Sequence, residues 1–440
     1  MFRSRSPLVM LALAVILTLV GTGLRSVTTA AQDKVELRVW DQFTDAGESD
    51  IADAIYKGFT EQHPNVTITR EAIDTDQMRQ TVNTAIASGT GPDVIFYDAG
   101  PGYAGVLADA GLLQPLDEMA TQYGWKERIV KSAQEGTTID GKLYGLPLQV
   151  DLIGMYYNKT LLDKEGLQVP KTLDELVAFC GQAKDKGYIP MAFSNNPGWQ
   201  AFHQFSMTSN DMIGPAAMRQ LLYDHTGSWN TPEMVTAIKS FFVDLQKAGC
   251  FSSDVNALTY DDGGDLFYSG QALLSSTGSW FVNNIEENMP DSEVGFVPFP
   301  SITGAKGTYW VSGVGSAYYI SAKSPHQKEA AQLLDYLFSP ETAKRWIQEA
   351  RFFVPMEIDT ADLEVTPLFK TILDTLQSAA AGKIELGYNV DVLAPPQFND
   401  AMQNGFQAIL SGDKTPEQEA ADLQAAWEAG MKGATGTPQA

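Results

Sequence analysis

Residues 88–159 constrain the fold of this chain more than any other stretch. The sequence SGTGPDVIFYD at 88–98 stops a helix on glycine, enters an apolar run and ends that run on a carboxylate. A strand as apolar as Asp93–Tyr97 is buried on both faces, and such strands belong to sheets covered by helices on either side. The residues upstream supply the rest of that sheet. Val35, Leu37 and Val39 alternate with Glu36 and Arg38, the period of a strand, which ends at Trp40-Asp41. Ile51, Ile55 and Phe59 recur every four residues, giving an amphipathic helix that His63-Pro64-Asn65 stops. Val66–Thr69 is a second strand, and Met78, Val82 and Ile86 mark a second helix closed by Gly89 and Gly91. This β-α-β-α-β order predicts a parallel sheet flanked by helices.

At 440 residues the chain is too long for one ordinary domain, so two lobes are expected. The apolar element Leu143–Leu148, followed by Gln149 and Asp151, marks a crossover between them. The middle section alternates helices (Thr172–Ala183, Pro232–Lys247) with short strands (Gln271–Ser275, Val294–Phe299). Val311–Ile320 is apolar and interrupted by glycine, as a segment returning to the first lobe would be. Pro325–Leu337 and Glu341–Ala350 are helices, and residues 432–440 are expected to form a flexible tail.

Residues 1–31 have the layout of a secretory signal: Arg3 and Arg5, the apolar run Leu8–Val20, then Thr29-Ala30-Ala31 before Gln32. No cysteine lies near that junction, so a lipid anchor is not expected, and an exported periplasmic or extracellular protein is. Of the 30 basic residues, Arg3, Arg5 and Arg25 fall in this segment, which holds no acidic residue. The charge beyond it is therefore near −27, against −24 for the whole chain. Such a field disfavours nucleic acid and anionic membranes as partners. Cys180 and Cys250 are the only cysteines. Export permits a disulfide between them, and two free buried thiols are the alternative.

Signatures of catalysis or metal binding are missing. His63, His203, His225 and His326 are scattered, and no zinc spacing, nucleophile elbow or phosphate-binding glycine loop occurs. No cofactor and no metal are expected. The run Asp261-Asp262-Gly263-Gly264-Asp265 lacks the alternating ligands and terminal Glu of a calcium loop and is expected to be a plain turn. The positive signal is aromatic residues beside small polar ones. Trp199 follows Asn195-Asn196-Pro197-Gly198, Trp280 follows Gly278-Ser279, Trp310 precedes Ser312-Gly313, and Arg351 sits at a helix end. Indole faces stack on the C–H faces of a sugar, while Asp, Asn, Gln and Arg serve its hydroxyls. Ligands in open α/β sheets sit at the carboxyl ends of strands, which adds Trp40, Asp41, Gln42 and Asp98, with Gln149 and Asp151 at the crossover.

Several stretches, in their order and spacing, resemble family 1 extracellular solute-binding proteins, the maltose- and oligosaccharide-binding group of ABC import systems. They are LRVWDQFT at 37–44, SGTGPDVIFYD, ADAGLLQPLD at 108–117, DGKLYGLPLQVDLIGMYYNK at 140–159, PKTLDELVAFC at 170–180, SGQALLSSTGSW at 269–280 and GSAYYISAKSPHQKEAAQLLDYLFSPE at 315–341. The resemblance implies an α/β periplasmic-binding-protein fold of type II: two lobes joined by several hinge crossovers, with the ligand cleft between them. Lobe one would be 33–149 plus 312–356, and lobe two 150–311 plus 357–431. It implies a non-enzymatic, monomeric receptor that closes on a mono- or oligosaccharide and passes it to the permease subunits of an ABC importer. Carried over by position, the ligand-binding candidates are Trp40, Asp41, Gln42, Asp98, Gln149, Asp151, Trp199, Gly278, Trp280, Trp310, Gly313 and Arg351. A same-fold receptor for a polyamine or glycerol phosphate, and a secreted glycoside hydrolase, are the competing readings. A hydrolase would need two carboxylates facing each other at catalytic separation.

Overall fold

A computed structural model describes residues 34–434; the expected leader at 1–31 and residues 435–440 lie outside the described residues. β1 (Val35–Asp41), α1 (Ala46–Gln62), β2 (Val66–Ala72), α2 (Thr75–Ser88) and β3 (Val94–Asp98) follow in the order the sequence predicts, with β1 parallel between β2 and β3. After α3 (Ala104–Asp109) and a small hairpin of β4 (Thr138–Ile139) and β5 (Lys142–Leu143) comes β6 (Gly145–Pro147). The remaining strands are β7 (Val150–Asn158), β8 (Ile189–Ala192), β9 (Ala272–Gly278), β10 (Val294–Val297), β11 (Trp310–Val314), β12 (Ser316–Ile320) and β13 (Leu386–Tyr388).

These strands form two principal sheets. The first runs β2-β1-β3-β12-β6 and the second β13-β11-β7-β9-β8, with β10 also paired to β7. Neither sheet is wholly parallel. In the first, β12 lies antiparallel between β3 and β6 because it enters from the other lobe. The local sequence explains the elements. Asp74 caps α2 by accepting from the backbone N–H groups of Asp76 and Gln77, and Gly89, at φ 76°, ends it. All five residues of β3 are buried. Phe96 faces the core beneath α1, and Ile95 and Tyr97 face the smaller core beneath α2.

The chain changes sheet between β6 and β7, again at Gly315 between β11 and β12, and a third time after the helices Gln327–Leu337 and Pro340–Gln348. There the Phe353 carbonyl accepts from the Val150 N–H, and Met356 bridges to Ile129. The second change comes later than expected. Residues 312–314 still pair with β7 and β13, so the first sheet resumes at Ser316 rather than at 312. The expected turn at Asp261–Asp265 is also corrected: these residues lie in the helix Tyr260–Tyr268, which Thr259 and Asp262 close with a reciprocal capping box. The last helix, Pro416–Ala434, carries residues 432–434 of the expected tail. Cys180 and Cys250 are disulfide-bonded with their Cα atoms 5.0 Å apart, which decides between the bridge and free thiols.

Candidate functional site

The carboxyl end of β3 supplies the first wall of a cleft between the sheets. Asp98 is held by a fork from Arg79 on α2, with Nε to Oδ2 at 2.9 Å and Nη2 to Oδ1 at 3.1 Å. This geometry fixes the carboxylate plane. Gln42 Nε2 reaches the same Oδ2 at 3.5 Å, and its Oε1 accepts from Ser316 Oγ at 3.4 Å. The Arg79 guanidinium lies 4.7 Å from the Tyr103 ring centre and 6.0 Å from that of Trp199, which belongs to the other sheet's side. Tyr103 Oη donates to Asp391 Oδ2 across the cleft at 3.4 Å.

The second wall is aromatic. Trp199 precedes the helix Gln200–Ile213, and His203 stands four residues on, so both side chains project from one face. Ring centres lie 5.4 Å apart for Trp199 and His203, 4.9 Å for Trp199 and Tyr260, and 5.2 Å for His203 and Trp280. Trp280 Nε1 donates to Tyr260 Oη at 2.8 Å, and Gly278 leaves the strand end bare beneath the Trp280 ring.

Burial, helped by the Arg79 charge, pushes His203 down to about 3, so its imidazole is neutral. Burial raises Asp391 to about 6 against the pull of Arg79, and its Oδ1 has no partner among the described residues. Burial also raises Asp151 to about 7, although Ser279 Oγ donates to its Oδ1 at 2.8 Å. Burial and the neighbouring charges of Asp45, Glu287, Asp151 and Asp41 raise Glu48 to about 8.

The sequence-predicted residues divide into three groups. Gln42, Asp98, Trp199, Gly278 and Trp280 come together at the cleft. Gln149, Asp151 and Gly313 sit at the crossovers, with Asp151 opposite Gly313 in the β7–β11 pairing. Four are placed elsewhere. Asp41 is fully buried and spent on structure: Arg70 grips both oxygens at 2.7 and 2.8 Å, and Tyr56 Oη and the Phe43 N–H also donate to it. Trp40, one residue earlier, faces the opposite side of β1 and packs in the core beneath α2. Trp310 stacks 4.9 Å from Phe296 and covers Gly154, where it serves packing. Arg351 Nε donates to Glu286 Oε2 at 2.7 Å, so its guanidinium is engaged in an ion pair, with its Nη1 left without a partner among the described residues. Sequence reasoning missed Arg79, Tyr103, His203, Tyr260 and Asp391. Only His203 had a signal, its four-residue offset from Trp199.

A cleft with ring faces on one side and aligned amide and carboxylate groups on the other is built to hold a polar solute by stacking and hydrogen bonds. The sequence pattern of bacterial extracellular solute-binding proteins matches residues 40–344. The chain belongs to that family. This solute-binding protein is 26% identical to the multiple sugar-binding protein of Streptococcus mutans over 72% of its own length and 75% of the relative's. It superimposes on a structure from work on xylan utilization by Caldanaerobius polysaccharolyticus with TM-score 0.80 and 24% identity, covering 89% of this chain and 99% of that one. It superimposes on a chitin oligosaccharide binding protein with TM-score 0.79 and 23% identity, covering 90% and 99%. The fold is therefore the type II periplasmic-binding-protein fold. The protein is a solute-binding receptor rather than an enzyme, acting outside the cytoplasm.

Proposed function

We propose that this receptor captures a sugar in the cleft between its lobes and presents it to the permease subunits of an ABC importer. The observation that carries this reading is the aromatic wall of Trp199, Tyr260 and Trp280 facing Asp98 and Gln42. Stacking on indole holds the apolar face of a sugar ring, and the polar wall takes its hydroxyls. Asp98, Gln42, His203, Tyr103 and Asp391 are the hydrogen-bonding groups of the site. Arg79 positions Asp98, and Gln149, Asp151 and Gly313 act at the hinge. Arg79 also weighs against a phosphate-bearing solute. Its fork is already occupied by Asp98, which leaves little of it for a phosphate, and the three aromatic faces favour a sugar over a flexible polyamine.

Lobe one is taken as residues 34–149 plus 315–356, and lobe two as 150–314 plus 357–434, and the chain acts as a monomer. Solute binding favours the closed arrangement by its preference for that form. The sugar-binding names of the relatives support the same class. Residues 1–31 would direct export and then be removed. Titration calorimetry of the chain from residue 32 onward against mono- and oligosaccharides, with product analysis of the same mixtures, tests the reading. Saturable binding with unchanged sugar supports it, whereas time-dependent cleavage or no binding to any sugar refutes it.

A further inference from the structure

Contacts between the lobes lie on opposite flanks of the cleft, beside the Arg351–Glu286 ion pair described above. On one flank is the start of α1, which packs against the side of the first sheet that carries Phe96. There Asn284 Nδ2 donates to Asp45 Oδ2 at 2.9 Å. Gly47 meets Glu287 so closely that a Cβ at this position would overlap the carboxylate. Asn284 and Glu287 belong to the helix Val282–Asn288, whose Val282 and Ile285 join the same core.

The other flank uses the opposite faces of both sheets. Tyr103, which packs with Ile95 and Tyr97 beneath α2, bonds to Asp391. Gly100, at φ 97°, lies so near the Val392 carbonyl that a Cβ there would overlap it. The segment holding Asp391 is rooted in lobe two through Val390, Ala394 and Phe398. Between these flanks the aromatic wall is compact, with neighbouring ring centres 4.9 and 5.2 Å apart. Each of Trp199, His203, Trp280 and Tyr260 touches two of the others, so the rings form one closed patch rather than an extended row.

We infer that this receptor selects short sugars, a monosaccharide or a disaccharide enclosed between the two flanks, and rejects chains that must run out past them. The inference rests on the sugar reading above. A longer chain leaving by either flank breaks the Asn284–Asp45 contact or the Tyr103–Asp391 bond, and with it part of the closed form's stability.

The test is calorimetric titration with gluco-, xylo- and chito-series from monosaccharide to hexasaccharide. The tightest binding is expected at one or two units, with affinity at least about tenfold weaker by the tetrasaccharide. A double variant, Asn284→Ala with Glu287→Ala, loosens one flank without touching the aromatic wall, although the Arg351–Glu286 pair on the same helix remains. It is expected to raise tetrasaccharide affinity relative to disaccharide. A hexasaccharide that binds the unaltered protein as tightly as a disaccharide overturns the length limit, and an unchanged length preference in the double variant overturns the role of the flanks. Failure to bind any member of any series instead overturns the sugar reading itself, and the inference with it.

Discussion

Trp280 and Tyr260 are locked to each other: the indole Nε1 donates to the phenol Oη at 2.8 Å, and that hydroxyl also shares a 3.0 Å hydrogen bond with Thr277 Oγ1. The bond fixes the indole plane before any solute arrives, so less ordering is left to do on binding. Trp280→Ala is expected to weaken solute binding at least tenfold, about 1.4 kcal/mol. Tyr260→Phe keeps the ring and loses only the anchor, so its effect is expected to be smaller. Titration calorimetry checks both, and full affinity in Trp280→Ala removes the aromatic wall from the site.

Asp98→Ala removes the acceptor that Arg79 and Gln42 hold in place and is also expected to cost at least tenfold in affinity, about 1.4 kcal/mol. Arg79→Lys keeps the charge and gives up the fork. Its expected effect is an intermediate loss, because a single ammonium does not fix the carboxylate plane. Equal affinities for Arg79→Lys and the parent protein would show that the alignment of Asp98 does not matter.

Asp41 is expected to behave differently from Asp98 although both end strands of one sheet. Asp41→Ala leaves Arg70, which is only 10% exposed, without its bidentate partner, and breaking a buried pair costs roughly 3–5 kcal/mol. Arg70 retains Asp53, Ser49 and the Phe43 carbonyl, which points to the lower end of that range. Urea denaturation should register the loss, while the folded variant keeps its affinity within about twofold. A large affinity loss with unchanged stability would return Asp41 to the solute site.

Replacing both Cys180 and Cys250 with alanine opens a loop with a sequence separation of 70. Closing a loop of that length restricts the unfolded chain, and its loss is expected to cost about 2–4 kcal/mol. Denaturant midpoints with and without reductant measure it. The bridge lies wholly within lobe two, so solute affinity at low denaturant is expected to hold.

Stability is expected to fall as pH rises from about 5.5 to 8. Burial raises Asp391 to about 6, Asp151 and Glu419 to about 7, and Asp211 and Glu48 to about 8. Unfolded carboxyls release their protons near pH 4, so across this window the folded state binds more protons and loses ground with each step upward. His203 acts in the opposite sense on the acid side. It stays neutral in the fold down to about 3, whereas the unfolded imidazole is charged below about 6.5, so its contribution is lost as pH falls. Scanning fluorimetry across this range checks the sign, and His203→Gln should flatten the acid limb. A Tm that rises between pH 5.5 and 8 contradicts the assignment.

The architecture was legible where one local pattern decided it. The apolar run of β3 could be buried only on both faces, and the four-residue spacing of Ile51, Ile55 and Phe59 left one choice for α1. The site was less legible because its residues are chosen by partners far away in sequence. Asp41 and Asp98 have the same local setting. What separates them is that the first is fully buried against Arg70, Tyr56 and the Phe43 N–H, whereas the second meets Arg79 and Gln42 beside Tyr103 and Trp199. Trp280 and Trp310 likewise both adjoin strand ends. Phe296 takes one ring into packing and Tyr260 holds the other toward the cleft. Arg79, Tyr103 and Asp391 carry no motif: Arg79 acquires its role from Asp98 on a neighbouring strand, and Tyr103 and Asp391 acquire theirs only when the two lobes meet.

The placement of β12 sets a timetable. It lies between β3 and β6 and pairs with both, yet it follows them in the chain by the whole of the second lobe's first half. As the chain emerges from its ribosome, the first sheet has a missing slat until residues 316–320 arrive, and the edges of β3 and β6 have nothing to pair with. A polypeptide built in this way stays incomplete, and so remains threadable, until most of it has been made.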